Sequence, residues 1–252
     1  MAARPPWSAS GAPHTKAAAR VARPSRGRVT PGTLLDLNGR PARADAVRVK
    51  RHLPPAFLLL VLSLAPAGAN GDGDVRRPRT EVLTEALRAF ERVEAAGRVR
   101  NRLLTVIDYA LPSSERRLWV LDPRTLQILF HEFVAHGKGS TPAWNPDRAV
   151  HFGNEVGSYR SSLGTFLTRE AYEGAHGYSL RLEGLDPGVN DRALERAIVI
   201  HPADYVSEAF RRQSGGRLGR SWGCPALDPA VAAEIIGRIQ AGSVIFAYGS
   251  DS

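Results

Sequence analysis

Apolar positions along the chain follow three different patterns, and each predicts a different kind of segment. A continuous apolar run extends from Leu53 to about Ala65. From Thr80, apolar residues recur at helical spacing up to a stop at Gly97, which predicts an amphipathic helix within residues 80–101. From residue 102 onward, short runs rich in β-branched, aromatic and leucine residues alternate with turn residues, which is typical of strands.

The strand-like runs continue to the end of the chain and are interrupted by one further helix. They are LLTVIDYA (103–110), RRLWVLD (116–122), TLQILFHEFVAHG (125–137), GTFLTREAY (164–172), YSLRLEGL (178–185), RAIVIHP (196–202) and SVIFAYG (243–249). DPAVAAEIIGRIQAG (228–242) predicts a helix with Asp228 as N-cap and Pro229 at its first position. We therefore predict a mostly β, α+β domain over residues 102–252, built as a β-sandwich or mixed sheet, with one helix before the last strand.

The apolar run near residue 60 lies within a pattern typical of a secretory signal peptide. Basic residues precede the run, and the small-residue site Ala67-Gly68-Ala69 follows it. The run is too short and too interrupted by proline for a transmembrane helix. We predict a signal peptide over 47–69, cleaved near Ala69, with only transient membrane contact, followed by a polar linker over 70–79. Residues 1–46 are interpreted as a disordered basic extension, either genuine or lying upstream of the true start.

The net positive charge of the chain lies entirely in residues 1–52. The formal net charge is +9, and residues 1–52 contain 11 Lys and Arg against 2 Asp and Glu. The remaining 200 residues contain 23 basic and 23 acidic side chains. The folded part is therefore neutral on balance, and the charge does not indicate a nucleic-acid partner.

Cys224 is the only cysteine in the chain, and its surroundings favour a reactive thiol. It lies between Gly223 and Pro225, in a polar, glycine-rich stretch. In an exported protein an unpaired cysteine is conspicuous, because thiols there tend to form disulfides. We interpret Cys224 as a nucleophile rather than a small buried apolar residue, and the amides of Gly223 and Cys224 as candidates for an oxyanion hole.

A histidine is the expected base for such a thiol. His201 and His136 each end an apolar run, where a side chain is well positioned at the mouth of a strand. His201 is preferred because it follows the stronger strand pattern and lies nearer in sequence to Cys224. The histidines show no metal-ligand spacing and there is one cysteine, so neither a metal site nor a cofactor is predicted.

The segment SWGC (221–224), together with His201, resembles the active site of the L,D-transpeptidases, enzymes with a YkuD-like catalytic domain. Within residues 102–249, three further segments resemble a divergent subgroup of murein L,D-transpeptidase catalytic domains. They are FHEFVAHGKGS, SSLGTFLT and AIVIHPADYVS. The resemblance implies a mostly β fold, a Cys nucleophile, a His base, and peptidoglycan stem peptides as substrate. It also implies action in the periplasm or cell wall and covalent addition of a carbapenem to Cys224.

The chain departs from the family pattern at two positions, which leaves the reaction open. Pro202 stands after His201 where the family has glycine, and Pro225-Ala226 stands where an arginine is expected two residues after the cysteine. Arg220, or alternatively Arg217 or Arg160, is a candidate to hold a substrate carboxylate. The other candidates for substrate contact are Ser221, Trp222, His136 and Ser161. Cross-linking, hydrolysis of stem peptides by the same site, and non-catalytic cell-wall binding all remain open at this point.

Overall fold

The structure, a computed structural model, describes residues 77–250. The helices are α1 (Thr80–Ala95), α2 (Glu208–Gln213) and α3 (Pro229–Ile239). The strands are β1 (Leu104–Asp108), β2 (Leu118–Leu121), β3 (Ile128–Glu132), β4 (Gly164–Gly174), β5 (Gly177–Gly184), β6 (Val199–Pro202), β7 (Ala226–Leu227) and β8 (Val244–Tyr248). The predicted basic extension, the signal peptide and most of the linker 70–79 lie outside the described residues. Within residues 77–250, every helix is too short or too polar to cross a membrane.

Helix α1 packs its apolar side on one face of the sheet. The buried residues recur every three or four positions: Val82, Ala86, Ala89, Phe90 and Val93. The Arg79 guanidinium donates two hydrogen bonds, of 2.7 and 2.9 Å, to the buried carboxylate of Asp108 at the end of β1. The helix ends at Ala95 and Gly97 follows with φ +69°, so the predicted segment 80–101 contains both the helix and its terminating turn.

The strands form one continuous sheet in the order β3-β2-β1-β8-β4-β5-β6-β7. The pairs β1/β8 and β6/β7 are parallel, and the other neighbours are antiparallel. Beyond β3 the chain reaches the opposite edge, where the Ala135 N–H donates to the Ala226 carbonyl at 2.9 Å. The two edges therefore meet, the sheet is nearly a barrel, and the predicted mostly β, α+β class with a mixed sheet is confirmed.

Helix α3 fills the other face of the sheet. Asp228 accepts the Ala230 N–H at 2.9 Å and Pro229 occupies the first turn, as predicted from the sequence. Its buried residues Ile235 and Ile239 belong to a core cluster with Ile200 of β6 and residues of β1, β2, β5 and β8. Because central strands such as β1 are buried on both faces, they read in sequence as continuous apolar runs rather than alternating ones.

Two elements next to the functional residues were not predicted from the sequence. Helix α2 has no buried residue, so it lacks the apolar periodicity by which a helix is recognised. Strand β7 is only two residues long and follows Pro225, yet it pairs in parallel with β6 and brings His201 opposite Ala226. This short pairing puts residue 201 and residue 224 at the same end of the sheet.

Candidate active site

The loop of residues 221–224, here called the thiol loop, is held by hydrogen bonds on both sides. The Ser221 N–H donates to the His136 carbonyl at 3.0 Å, and the Lys138 N–H donates to the Ser221 carbonyl at 2.8 Å. Inside the loop, the Ser221 hydroxyl donates to the Cys224 carbonyl at 2.6 Å and accepts the Gly223 N–H at 3.1 Å. Ser221 thus closes the turn on which Cys224 is presented.

Gly223 occupies a position that only glycine fits. Its φ is +120°, and a Cβ there would lie 2.7 Å from the Arg160 carbonyl oxygen and 3.2 Å from Arg196 Nη2. A Cβ on Gly137 would in turn lie 2.8 Å from the Gly223 Cα. The thiol loop therefore packs directly against two neighbouring backbone segments, and two glycines permit the close approach.

The two amides expected to form an oxyanion hole differ in their availability. The Gly223 N–H is already bonded to the Ser221 hydroxyl, so it serves the turn instead. The Cys224 N–H has no acceptor within the part of the chain that the structure describes. The Cys224 amide therefore remains the candidate donor to a developing oxyanion, and the expectation for Gly223 is corrected.

The residues at and before the start of β6 surround the thiol. The Cys224 Sγ lies 3.8 Å from the Ala197 carbonyl oxygen, and Ala197 adopts a left-handed conformation with φ +53°. Burial raises the pKa of the Cys224 thiol above its ordinary value, while the Val199 N–H and the Arg196 cation favour the thiolate and oppose that rise. At neutral pH the Cys224 thiol is therefore protonated, and its conversion to a thiolate would require a base.

Arg196 is a functional candidate that the sequence analysis missed. Its guanidinium donates to the carbonyls of Gly153 at 2.8 Å and Arg160 at 2.6 Å, and to the Ser162 hydroxyl. Two of these acceptors lie in the segment that packs against Gly223. Arg196 therefore holds the backbone beneath the thiol loop and also places a cation near the thiol.

Replacing Arg196 by methionine is expected to slow alkylation of Cys224. Loss of the cation removes an interaction that favours the thiolate, so the pKa of the thiol rises and less thiolate is present at pH 8. The measurement is the iodoacetamide reaction rate between pH 6 and pH 10, with an expected decrease of roughly 3- to 10-fold at pH 8.

Two further variants separate charge from hydrogen-bond geometry in this test. Arg196→Lys keeps the charge and should restore part of the alkylation rate. Arg217→Met removes a cation that lines a different surface pocket, so the rate should stay at the wild-type value. Equal rates for Arg196→Met and the wild-type protein would contradict the assignment.

His201 is oriented by the backbone of the residue that follows it. Its Nδ1 lies 2.9 Å from the Pro202 carbonyl oxygen, which can only accept, so Nδ1 carries the proton and Nε2 is left as the acceptor. Proline can fill this role because only its backbone carbonyl is required. Burial lowers the pKa of His201, so the imidazole is a neutral base at neutral pH.

The ring of His176, in the turn between β4 and β5, stacks on the ring of His201 with centroids 4.7 Å apart. We expect His176→Ala to raise the pKa of His201, because the change hydrates the ring and removes an interaction that opposes its protonation. An NMR titration of the histidine ring protons measures this shift. His151→Ala, at an exposed histidine, is the control and should leave the His201 titration unchanged.

Cys224 and His201 line one cavity of about 410 Å³. Three of the predicted substrate contacts also line it: Arg220, Ser221 and Trp222. Residues that the sequence analysis did not identify complete the wall, among them Tyr172, His176, Arg196 and Tyr205. The hairpin β4–β5 thus covers a cavity whose candidate nucleophile and base come from the thiol loop and β6.

Two predicted contacts do not reach this cavity. His136 is fully buried: its Nδ1 accepts from Arg117 at 2.8 Å, and its Nε2 lies 3.1 Å from the Thr141 hydroxyl. Burial and the nearby arginines hold the pKa of His136 well below its usual value. Ser161 is 1% exposed, and its hydroxyl accepts the Gly137 N–H and donates to the Gly223 carbonyl. Both residues therefore support the thiol loop from beneath, and the expectations of a base or a substrate contact are corrected.

The outer rim of the site is aromatic and cationic. Trp222 is 71% exposed, and its ring lies 5.5 Å from that of Tyr159. The Lys138 ammonium lies over both rings, 4.1 Å from the Tyr159 centroid and 5.3 Å from the Trp222 centroid. Within residues 77–250, no group of three or more His, Cys, Asp or Glu side chains is arranged to hold a metal ion.

Comparison with known proteins gives one match to a protein-family model. The YkuD_2 family model, described as an L,D-transpeptidase catalytic domain, matches residues 76–248. No curated protein matches the chain significantly.

Similar solved structures include the L,D-transpeptidase of Mycobacterium smegmatis, with 15% identity, TM-score 0.36 and coverage of 59% of each chain. L,D-transpeptidase 1 of Mycobacterium tuberculosis has 15% identity and TM-score 0.34, covering 59% of this chain and 63% of that one. The helical cell shape determining protein Pgp2 of Campylobacter jejuni has 11% identity and TM-score 0.40, covering 69% of this chain and 58% of that one. The chain thus spans about three fifths of these structures.

The family match begins before α1 and extends through β8, so it includes the thiol loop, β6 and the covering hairpin. It agrees with the family that SWGC and His201 resemble. The chain belongs to the YkuD_2 family of L,D-transpeptidase catalytic domains.

Proposed function

We propose that the protein is an exported cysteine acyltransferase that forms L,D cross-links between peptidoglycan stem peptides. The observation that carries the proposal is the shared cavity of Cys224 and His201, with His201 Nδ1 bonded to a carbonyl and Nε2 left to accept a proton. Export rests on the predicted signal peptide over 47–69. A thiol without a disulfide partner in an exported protein is consistent with catalytic use.

In the acylation step, a proton passes from the Cys224 thiol to His201 and then to the leaving group. His201 Nε2 takes the thiol proton, and the Cys224 sulfur attacks the carbonyl of an L-centred residue that precedes a D-residue. The oxyanion is stabilised by the Cys224 amide, with Gly223 permitting the turn that presents it. When the C–N bond breaks, His201 returns the proton to the leaving D-amino acid, and a thioester remains.

In the deacylation step, an amine is the nucleophile and the Cys224 sulfur is the leaving group. The amine of a second stem peptide attacks the thioester, His201 removes its proton, and the C–S bond breaks to regenerate the thiol. A new amide then joins two stem peptides. If water resolves the thioester instead, the same site acts as an L,D-carboxypeptidase or endopeptidase.

Cationic side chains favour stem peptides as the ligand of this cavity. Arg196 and Arg220 line it. The Arg220 guanidinium bonds only one backbone carbonyl, that of Pro146 at 3.2 Å, among the described contacts. Stem peptides carry free carboxylates, which guanidinium groups bind well. Arg220 is the proposed replacement for the arginine that is missing after Cys224.

Product analysis on purified muropeptides tests the proposal. The protein is incubated with disaccharide tetrapeptides, and the products are separated and identified by mass spectrometry. Cross-linked dimers with release of the terminal D-amino acid are expected. Trimmed monomers alone would favour the hydrolase, and no turnover of any stem peptide would overturn the enzyme assignment in favour of a cell-wall-binding protein.

A further inference from the structure

His201 lines two neighbouring cavities. One is the cavity of about 410 Å³ that contains Cys224, here called the thiol cavity. The other, here called the second cavity, has a volume of about 510 Å³ and is lined by Pro202, Asp204 and Pro229. Both cavities share a wall made of Ala175, His176, His201 and Tyr205. His201, although only 5% exposed, thus contributes to the lining of both cavities.

The two cavities differ in the sign of their charged residues. The thiol cavity is lined by Arg196 and Arg220 and by no carboxylate. The second cavity is lined by the Asp204 carboxylate and by no arginine or lysine. Asp204 is exposed, and within residues 77–250 no cation forms an ion pair with it. A ligand of the second cavity thus meets one unpaired negative charge beside the base.

This arrangement suits a reaction with two substrates that carry opposite charges where they bind. The acyl donor presents carboxylates, and Arg196 and Arg220 match them. The nucleophile that resolves the thioester is an amine, which in solution is an ammonium ion, and Asp204 matches it.

We propose that the second cavity is the binding site for the amine-bearing acceptor, and that Asp204 selects an amine over water as the nucleophile. The proposal rests on the proposed function. The ammonium binds beside Asp204 and releases one proton to solvent as the neutral amine moves to the thioester carbon. The amine nitrogen forms the new C–N bond, His201 takes the second proton, and the C–S bond breaks. The Cys224 sulfur then receives the proton from His201, so charge and protons balance.

The Tyr205 phenol, which lines both cavities, is a neutral hydrogen-bond donor. Burial raises the pKa of the Tyr205 phenol to about 12, so it keeps its proton and does not repel Asp204. A Cβ on Gly219 would lie 2.5 Å from the Tyr205 Cβ, so a small residue there permits the tyrosine to pack in place. The carboxylate therefore remains the only anionic side chain of the second cavity at neutral pH.

The test is the partition of the acyl-enzyme between amine and water. Wild-type protein and Asp204→Asn are incubated with the same disaccharide tetrapeptide, and cross-linked dimer and hydrolysed tripeptide are quantified by mass spectrometry. The ratio of dimer to tripeptide is expected to fall roughly 10-fold in Asp204→Asn, because a charge-assisted hydrogen bond to the acceptor is lost. Donor consumption, which reports acylation, should change much less than this ratio.

Two variants control for indirect effects. Asp204→Glu keeps the carboxylate and should restore most of the dimer. Glu208→Gln removes an exposed carboxylate that pairs with Arg212 and lines neither cavity, so the ratio should stay at the wild-type value.

The outcomes separate this proposal from the function on which it rests. A dimer-to-tripeptide ratio that is unchanged in Asp204→Asn overturns the acceptor site while leaving the acyltransferase intact. Hydrolysed tripeptide without any dimer from the wild-type protein also overturns the acceptor site, since water is then the nucleophile. Absence of donor consumption by the wild-type protein overturns the proposed function itself.

Discussion

Replacement of Cys224 by alanine is expected to abolish stem-peptide turnover, with a loss of at least roughly 10³-fold in kcat/KM. Alanine has no nucleophile, so no thioester can form. The side chain is small and only partly buried, so the free energy of unfolding should change by about 1 kcal/mol. The measurement is product formation by mass spectrometry at matched enzyme concentration, with a thermal unfolding curve to show that the variant folds.

Intact-mass analysis gives this prediction a second measurement. Cys224 is the only cysteine of the chain, so a thiol adduct can form at this residue alone. A carbapenem should add covalently to the wild-type protein and not to Cys224→Ala. Turnover by Cys224→Ala, or an adduct that survives the substitution, would show that another group is the nucleophile.

Replacement of Gly223 by alanine is expected to lower kcat/KM by roughly 10²-fold without removing any reacting atom. The new Cβ would lie 2.7 Å from the Arg160 carbonyl oxygen at a φ of +120°, so the thiol loop must shift. A displacement of about 1 Å between reacting groups is enough for such a loss. The strained backbone should also lower the free energy of unfolding by about 1–3 kcal/mol.

Gly157→Ala is the matched control for this substitution. Gly157 also has a positive φ, of +79°, but a Cβ there meets nothing within 4 Å. Its free energy of unfolding should decrease by about 1 kcal/mol from backbone strain alone, and kcat/KM should be unchanged. If Gly223→Ala behaved like Gly157→Ala, the close packing of the thiol loop would not matter for catalysis.

The candidate residues of the site were recognisable in the sequence where residue type and immediate neighbours single them out. Cys224 was identifiable because it is unique and lies next to a glycine, and His201 because it ends a buried strand pattern. The structure places both in one cavity. Their orientation depends on contacts between segments far apart in the chain, and no local pattern encodes those.

Arg196 and His136 show what tertiary packing decides and local sequence does not. Arg196 was not singled out from the sequence, yet its guanidinium supports the segment beneath Gly223. His136 ends an apolar run as His201 does, but its ring is enclosed and bonded to Arg117. The same local pattern thus leads to a cavity in one case and to the interior in the other.

The sequence by itself determined the fold class and the helices α1 and α3, because periodicity and capping residues are local properties. Residue type is local too, so the sequence also singled out Cys224 and His201 as the candidate nucleophile and base. Only the tertiary structure decided which groups meet. The two-residue parallel pairing of β6 with β7 is too short to leave a pattern, yet it sets His201 opposite Ala226. The closure of the sheet likewise brings the His136 carbonyl to Ser221, and the β4–β5 hairpin brings His176 onto His201. These contacts join segments that lie far apart in the chain, so local sequence cannot specify them.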